Sequence, residues 1–188
     1  YLAVQALAKA PASAETKQWI IQLVNEESRD RTAQMSLYIA YLEDDNLAVR
    51  RQSATALATL GGEARQALAI RGLADSDSSI RQLTLDYLLV EEGYRPNLAS
   101  DPIFKIIGAD DAEQALQALL IINRNDIQTL ARTVEFSEHI SVALAHPEPR
   151  VRQAAVAVVS RYRQLPLLLP LFGRCVGDED RRVAYAAN

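Results

Sequence analysis

Residues 44–62 read Asp44-Asp45-Asn46-Leu47-Ala48-Val49-Arg50-Arg51-Gln52-Ser53-Ala54-Thr55-Ala56-Leu57-Ala58-Thr59-Leu60-Gly61-Gly62. Counting from Val49, apolar or small residues fall at +4, +7, +8 and +11, as Ser53, Ala56, Leu57 and Leu60. That spacing marks one face of a 3.6-residue helix. Acidic and amide residues stand before it, where side-chain acceptors satisfy free N–H groups and negative charge opposes the helix dipole. Two glycines follow it, where a positive φ ends a helix without steric cost. One amphipathic helix with a start and a stop is predicted.

The same template recurs from Ile80 (Thr84, Tyr87, Leu88) and from Val151 (Ala155, Val158, Val159, Tyr162), and all three copies carry Arg at +1: Arg50, Arg81 and Arg152. Weaker copies start at Thr16, Ala112 and Val183, so the starts lie 33, 31, 32, 39 and 32 residues apart. A second apolar-periodic segment lies beside each copy, at residues 1–9, 29–43, 63–74, 102–107, 126–145 and 165–176. Each unit then predicts a hairpin of two short helices, which cannot hide its apolar faces alone and must stack on its neighbours. Gly72, Gly108 and Gly177 mark the ends of second helices, and acidic or Pro-rich turns precede the first ones: Asp75 to Ser79, Asp110-Asp111, Pro147-Glu148-Pro149 and Asp178 to Asp180. No sustained period-2 alternation occurs, so the expected fold is all-α, an α-solenoid. The 39-residue spacing places an insertion within residues 124–147, and Gly93 to Asn97 reads as an irregular loop.

The run Asp44 to Arg50, followed by Ser53, Ala56-Leu57 and Leu60-Gly61, resembles the HEAT repeat, in particular the short bacterial kind labelled phycobilisome-lyase-like. Residues 75–88 and 147–159 look like further copies. The resemblance implies a right-handed superhelix of about five hairpins over residues 1–188, with first helices convex and second helices concave. It also implies that Arg50, Arg81 and Arg152, with Asp44 and Asp75, form a structural ladder between adjacent turns. Three units depart from the pattern at the Arg position, with Lys17, Glu113 and Ala184.

Composition agrees with a packed protein: 49% hydrophobic against 23% charged residues, and no low-complexity run. The longest apolar run, Leu165 to Phe172, holds Pro166 and Pro170 and is far below the ~20 residues a membrane helix needs. It reads instead as a helix packed between neighbours, with Pro166 in its first turn and Pro170 restraining it. A single cysteine, Cys175, excludes an internal disulfide and suits a cytoplasmic setting. Cys175 lies on an apolar second helix and reads as a small buried hydrophobe. Both ends fall inside apparent helices, so the chain reads as part of something longer.

Reaction chemistry is not visible. Gly61-Gly62 lacks the remainder of a P-loop, and no Gly-x-Gly-x-x-Gly occurs. His139 and His146 sit in no nucleophile motif, and His146, before Pro147, suits a loop or capping role. Adjacent acid pairs such as Glu26-Glu27 do not face each other across a cleft. One cysteine and two histidines do not make an ordinary zinc site, and no cofactor is expected. The leading expectation is a non-enzymatic scaffold that binds a protein or peptide through its concave surface, with Tyr38, Tyr41, Arg65 and Arg71 as candidate contacts. Net charge is −4, yet residues 146–188 hold seven Arg against four acids. Arg161, Arg163 and Arg174 from that run are therefore further candidates, and nucleic-acid binding through them is the alternative. A bilin lyase-like subunit, suggested only by the flavour of the repeat, is a more distant one.

Overall fold

The computed structural model describes residues 6–8, 10–90, 102–125, 127 and 129–187. Within these the chain is helical, with no strand. It divides into two compact units, Tyr1–Leu88 and Leu89–Asn188.

The first unit holds α1 (Ala14–Glu27), α2 (Arg31–Tyr41), α3 (Leu47–Leu60), α4 (Glu63–Gly72) and most of α5 (Ser78–Val90). Each start has a chemical cause. Ser13 accepts the Thr16 N–H, Asp30 that of Ala33, and Asn46 those of Ala48 and Val49. The stop of α3 is set by Gly61 and Gly62, both at positive φ (66° and 56°), which turns the chain directly into α4. Helix α3 packs on α2 and α4 and also on α1, two helices earlier. Its predicted face is the buried one: Val49, Ser53, Ala56 and Leu57 join Ile20, Ile21, Val24, Leu37, Tyr38, Leu68 and Ile80 in one core. Each large aliphatic side chain fully removed from water there contributes about 1.5–3 kcal/mol before the entropy of ordering it is counted.

Two polar groups interrupt this core. The Ser53 hydroxyl and the Tyr38 hydroxyl are buried and have no hydrogen-bond partner among the described residues. An unpaired hydroxyl stabilises nothing, so Ser53→Ala is expected to leave stability unchanged or raise it by up to about 1 kcal/mol in a urea melt. A clear loss would show that the hydroxyl is bonded after all.

The second unit holds α6 (Ile103–Ile106), α7 (Ala112–Arg124), a 3-10 turn (Leu130–Arg132), α8 (Val134–Leu144), α9 (Pro149–Arg161), α10 (Leu169–Val176) and α11 (Arg181–Ala186). Here too a first helix spans its neighbours: α9 packs on α8 and α10, and on α7 and α11 beyond them. Asp111, Thr133 and Asp180 cap α7, α8 and α11. Glu148 does not cap α9 with its side chain. Pro149 opens that helix with no N–H to satisfy, and the Glu148 carboxylate turns to Arg150 instead, 3.3 Å away.

The second helices are shorter than their sequence segments, and three of them show why. The 126–145 segment becomes helical in earnest only at Val134, after the 3-10 turn, which is where the spacing places the insertion. The insertion is pinned at Ile127, whose N–H donates to the buried Tyr162 hydroxyl. The 165–176 segment starts its helix at Leu169, so Pro170, not Pro166, occupies the first turn, where a missing N–H costs nothing. The segment at 102–107 makes a single turn, Ile103–Ile106. The 1–9 segment lies largely, and the Gly93 to Asn97 loop wholly, outside the described residues.

Candidate functional site

The main polar feature is a set of ion pairs that ties the loops at Asp44, Asp75 and Asp178 to preceding helices. In the first unit Arg50, from the first turn of α3, reaches forward to Asp75 (Nε–Oδ2 3.0 Å, a second nitrogen to Oδ1 3.3 Å). A third nitrogen donates back to the carbonyls of Asp44 and Asp45 (2.9 and 3.1 Å). Arg81 repeats the backward half on the carbonyls of Asp75 and Ser76 (2.8 and 2.9 Å). Lys17 supplies the forward half to the Asp44 carboxylate. Both aspartate loops of this unit are thus held twice, by the cation before through the side chain and by the arginine after through the backbone.

The second unit contains the same rung. Arg152 makes two 2.9 Å bonds to the Asp178 carboxylate and two to the carbonyls of His146 and Pro147 (2.9 and 3.0 Å). It is only 6% exposed, so these four bonds replace nearly all its hydration. The bond from Arg152 is the main reason that the Asp178 carboxyl lies below its usual range. Burial of Asp44 works against its charge, yet the bonds from Lys17 and from the Asn46 N–H outweigh it and hold that carboxyl low as well. A carboxyl depressed on folding gives its full stabilisation above its unfolded value, about 4, and loses it as pH falls through the folded value. Thermal unfolding should therefore be insensitive to these two groups from pH 7 to pH 5, and the melting temperature should drop below about pH 4. The variant Asp178→Asn should be less stable at pH 7 and lose less on acidification.

One loop departs from the pattern. His146 occupies the position of Asp44, Asp75 and Asp178, and like them it accepts the N–H two residues on: Nδ1 takes the Glu148 N–H at 3.0 Å, against 2.9, 2.8 and 2.9 Å in the aspartate loops. Its Nε2–H donates to the Ala109 carbonyl at 3.1 Å, so the two bonds fix the tautomer. The preceding first helix offers Glu113 where four other units have a cation, Lys17, Arg50, Arg81 and Arg152. An aspartate at 146 would be a largely buried carboxylate without a counter-ion; histidine makes the same loop bond without the charge.

Among the residues singled out for contact, Tyr38 is fully buried and Tyr41 is 2% exposed, its hydroxyl donating to the Leu7 carbonyl at 3.1 Å. Neither presents a side chain to a partner. Periodicity marked the apolar face of α2 but gave no sign that both tyrosines belong to it. Arg65 is half-buried, and Arg71 is exposed beside the Glu43 carboxylate. Arg161 lies across the Tyr162 ring, 5.6 Å from its centre, and donates to the carbonyls of Asn123 and Asn125 at the end of α7. It serves as a C-cap for a helix two elements earlier. Arg163 and Arg174 are exposed. Arg174 lines a small cavity of about 80 Å³ with Ser141, Leu171, Cys175 and Asp178. Burial pushes the Cys175 thiol up, and the thiol donates to the Leu171 carbonyl. Among the described residues no cluster of three or more His, Cys, Asp or Glu is placed to hold a metal, and no helix is long and apolar enough to cross a membrane.

A larger groove, about 200 Å³, runs between α1 and α3 over Ile21 and Ala56, with Gln22, Asn25, Gln52, Thr55 and Thr59 along it. Compared with known proteins, the chain matches no family model and no curated sequence.

Proposed function

We propose that the protein is a non-enzymatic repeat scaffold, each compact unit being a stack of HEAT-type helical hairpins that form a right-handed α-solenoid and bind a protein or peptide along the concave side. The observation that carries this reading is the recurrence of one rung: Arg50–Asp75 and Arg152–Asp178 have the same forward pair and the same two backward carbonyl bonds. Such a repeat is the geometry of stacked, equivalent hairpins, whose shared surface is an extended platform for a partner. The buried, single cysteine fits a reducing, cytoplasmic setting. Several of the C-terminal arginines are already bonded within the fold, Arg152 and Arg182 to aspartates and Arg161 to carbonyls, which weakens the case for phosphate binding.

Affinity capture from a lysate of the source cell, with wild type beside an Arg71→Glu, Arg174→Glu variant, tests the reading. The expected result is a discrete protein recovered by the wild type and lost by the variant at unchanged helicity. Recovery of nucleic acid that dissociates steeply with salt, or of a coloured small molecule, overturns it.

A further inference from the structure

We infer that His146 makes the turn from α8 into α9 a proton-operated catch: when its ring takes up a second proton the turn is released, while the aspartate turns of the same chain stay shut. The catch needs no partner, so it stands or falls apart from the scaffold reading above.

The ring combines two roles that are separate elsewhere. In the first unit the link between successive turns passes through an arginine, with the Asp75 carboxylate on one side of Arg50 and the carbonyls of Asp44 and Asp45 on the other. Helix α7 carries no lysine or arginine before Arg124, its last residue. His146 spans the gap alone. Its Nδ1 holds the Glu148 N–H in its own turn, and its Nε2–H holds the Ala109 carbonyl of the turn before, 37 residues back. The ring is buried, so little water stands ready to replace either bond.

A neutral imidazole has one donor and one acceptor, and both are spent here. A proton from solvent can enter only at the Nδ1 lone pair, and the new N–H then points at the Glu148 N–H. Two donors face each other, that bond is lost, and the Glu148 N–H reaches water only if the turn opens. The bond to Ala109 survives and strengthens, because its donor is now charged. Arg152 rests its backward bonds on the carbonyls of His146 and Pro147, so the same opening loosens them, whereas its fork on Asp178 does not depend on the ring.

The surrounding charges leave this switch in place. In the turn itself Glu148 is paired with Arg150. From α9, Arg152 is neutralised by Asp178, with Glu179 at 3.6 Å, and at the start of α11 Arg182 is paired with Asp180. The Ala109 turn brings Asp110 and Asp111, and α7 brings Glu113. On α8 the nearest titratable side chain is His139, two turns back against Phe104, and on α6 it is the exposed Lys105. Acid charge thus collects on the Ala109 side, which the charged ring keeps, and a closed ion pair on the side that it releases. Carboxylates and guanidinium groups, which hold the aspartate turns, keep their charge between about pH 8 and 5, the range in which an imidazole ordinarily changes its own.

Nuclear magnetic resonance of the isotope-labelled chain from about pH 7.5 to pH 5 tests the catch. The His146 ring nitrogens report protonation. Hydrogen exchange of the Glu148 amide is read as a ratio to the Asn46, Asp77 and Asp180 amides, which make the same bond to an aspartate. The expected result is an Nε2–H tautomer at the upper end, a proton gained at Nδ1 on acidification, and a fall of at least about tenfold in relative Glu148 protection with the same midpoint. The carboxamide of His146→Asn still offers an acceptor to the Glu148 N–H and does not titrate, so there the ratio should stay within about twofold. His139→Gln should leave the fall intact. If the asparagine variant does not fold, the shared midpoint in the wild type decides alone. A constant ratio while the ring protonates, a ring still neutral at the lower end, an equal fall in His146→Asn, or a loss shared by the three aspartate-bound amides overturns the assignment.

Discussion

Arg152→Ala should lose about 3–5 kcal/mol of stability, among the largest effects of any arginine substitution in the second unit. The side chain is nearly buried, and its removal strands three partners at once: the Asp178 carboxylate and the carbonyls of His146 and Pro147. The Asp178 carboxyl, half-buried and held low mainly by this guanidinium, then lacks its counter-ion. Arg152→Lys should recover little, because an ammonium cannot make the forward fork and the two backward bonds together. Arg163→Ala, at an exposed position, is the control and should stay within about 0.5 kcal/mol. Urea unfolding of the three variants decides the matter. A loss below about 1 kcal/mol for Arg152→Ala would mean that the rung is ornamental.

Gly72→Ala should cost about 1–3 kcal/mol, although alanine is the better helix former. Gly72 is the last residue of α4, and a Cβ there meets the Thr84 Oγ1 of α5 at 2.3 Å and the Leu68 Cδ1 at 3.0 Å. Thr84 cannot swing away freely, since it is fully buried and its hydroxyl donates to the Ile80 carbonyl at 2.8 Å. The helices must separate or the threonine must leave its bond. Adding Thr84→Ala vacates the space, so the double variant should be more stable than the sum of the two single losses predicts. That non-additivity, read in a double-mutant cycle, separates a steric cause from a general weakness of the α4 terminus.

Helices were legible in this sequence where three signals coincided. At residues 44–62 the apolar period, the Asn46 cap and the Gly61-Gly62 stop all agree, and α3 runs Leu47–Leu60 between them. The Arg at +1 was equally visible, because Arg50, Arg81 and Arg152 recur at the same place on the same face. Legibility failed where apolar composition stood without period or caps. Residues 126–133 contain Ile127 and Leu130, yet the chain there is held by a tyrosine hydroxyl 35 residues away, a contact no local pattern encodes. The Leu165 to Phe172 run looks continuous, but its two prolines delay the helix to Leu169. Partner contacts were the least legible. Tyr38 and Tyr41 carry the amphipathic character of interface residues, and that same character fits them for the core they occupy.

The double grip on the Asp44 and Asp75 loops also sets how the first unit can change length. Asp44 and Asp75 stand at equivalent points, each taking a cation from the hairpin before and lending its carbonyl to the arginine after. Excising residues 44–74 would set Asp75 directly after Glu43, in front of Lys17, with Arg81 already bonded to the new loop. A cut displaced by a few residues would leave one charge facing none. Insertion or loss of chain between these two loops is therefore free of electrostatic penalty only in whole steps of the Asp44-to-Asp75 spacing.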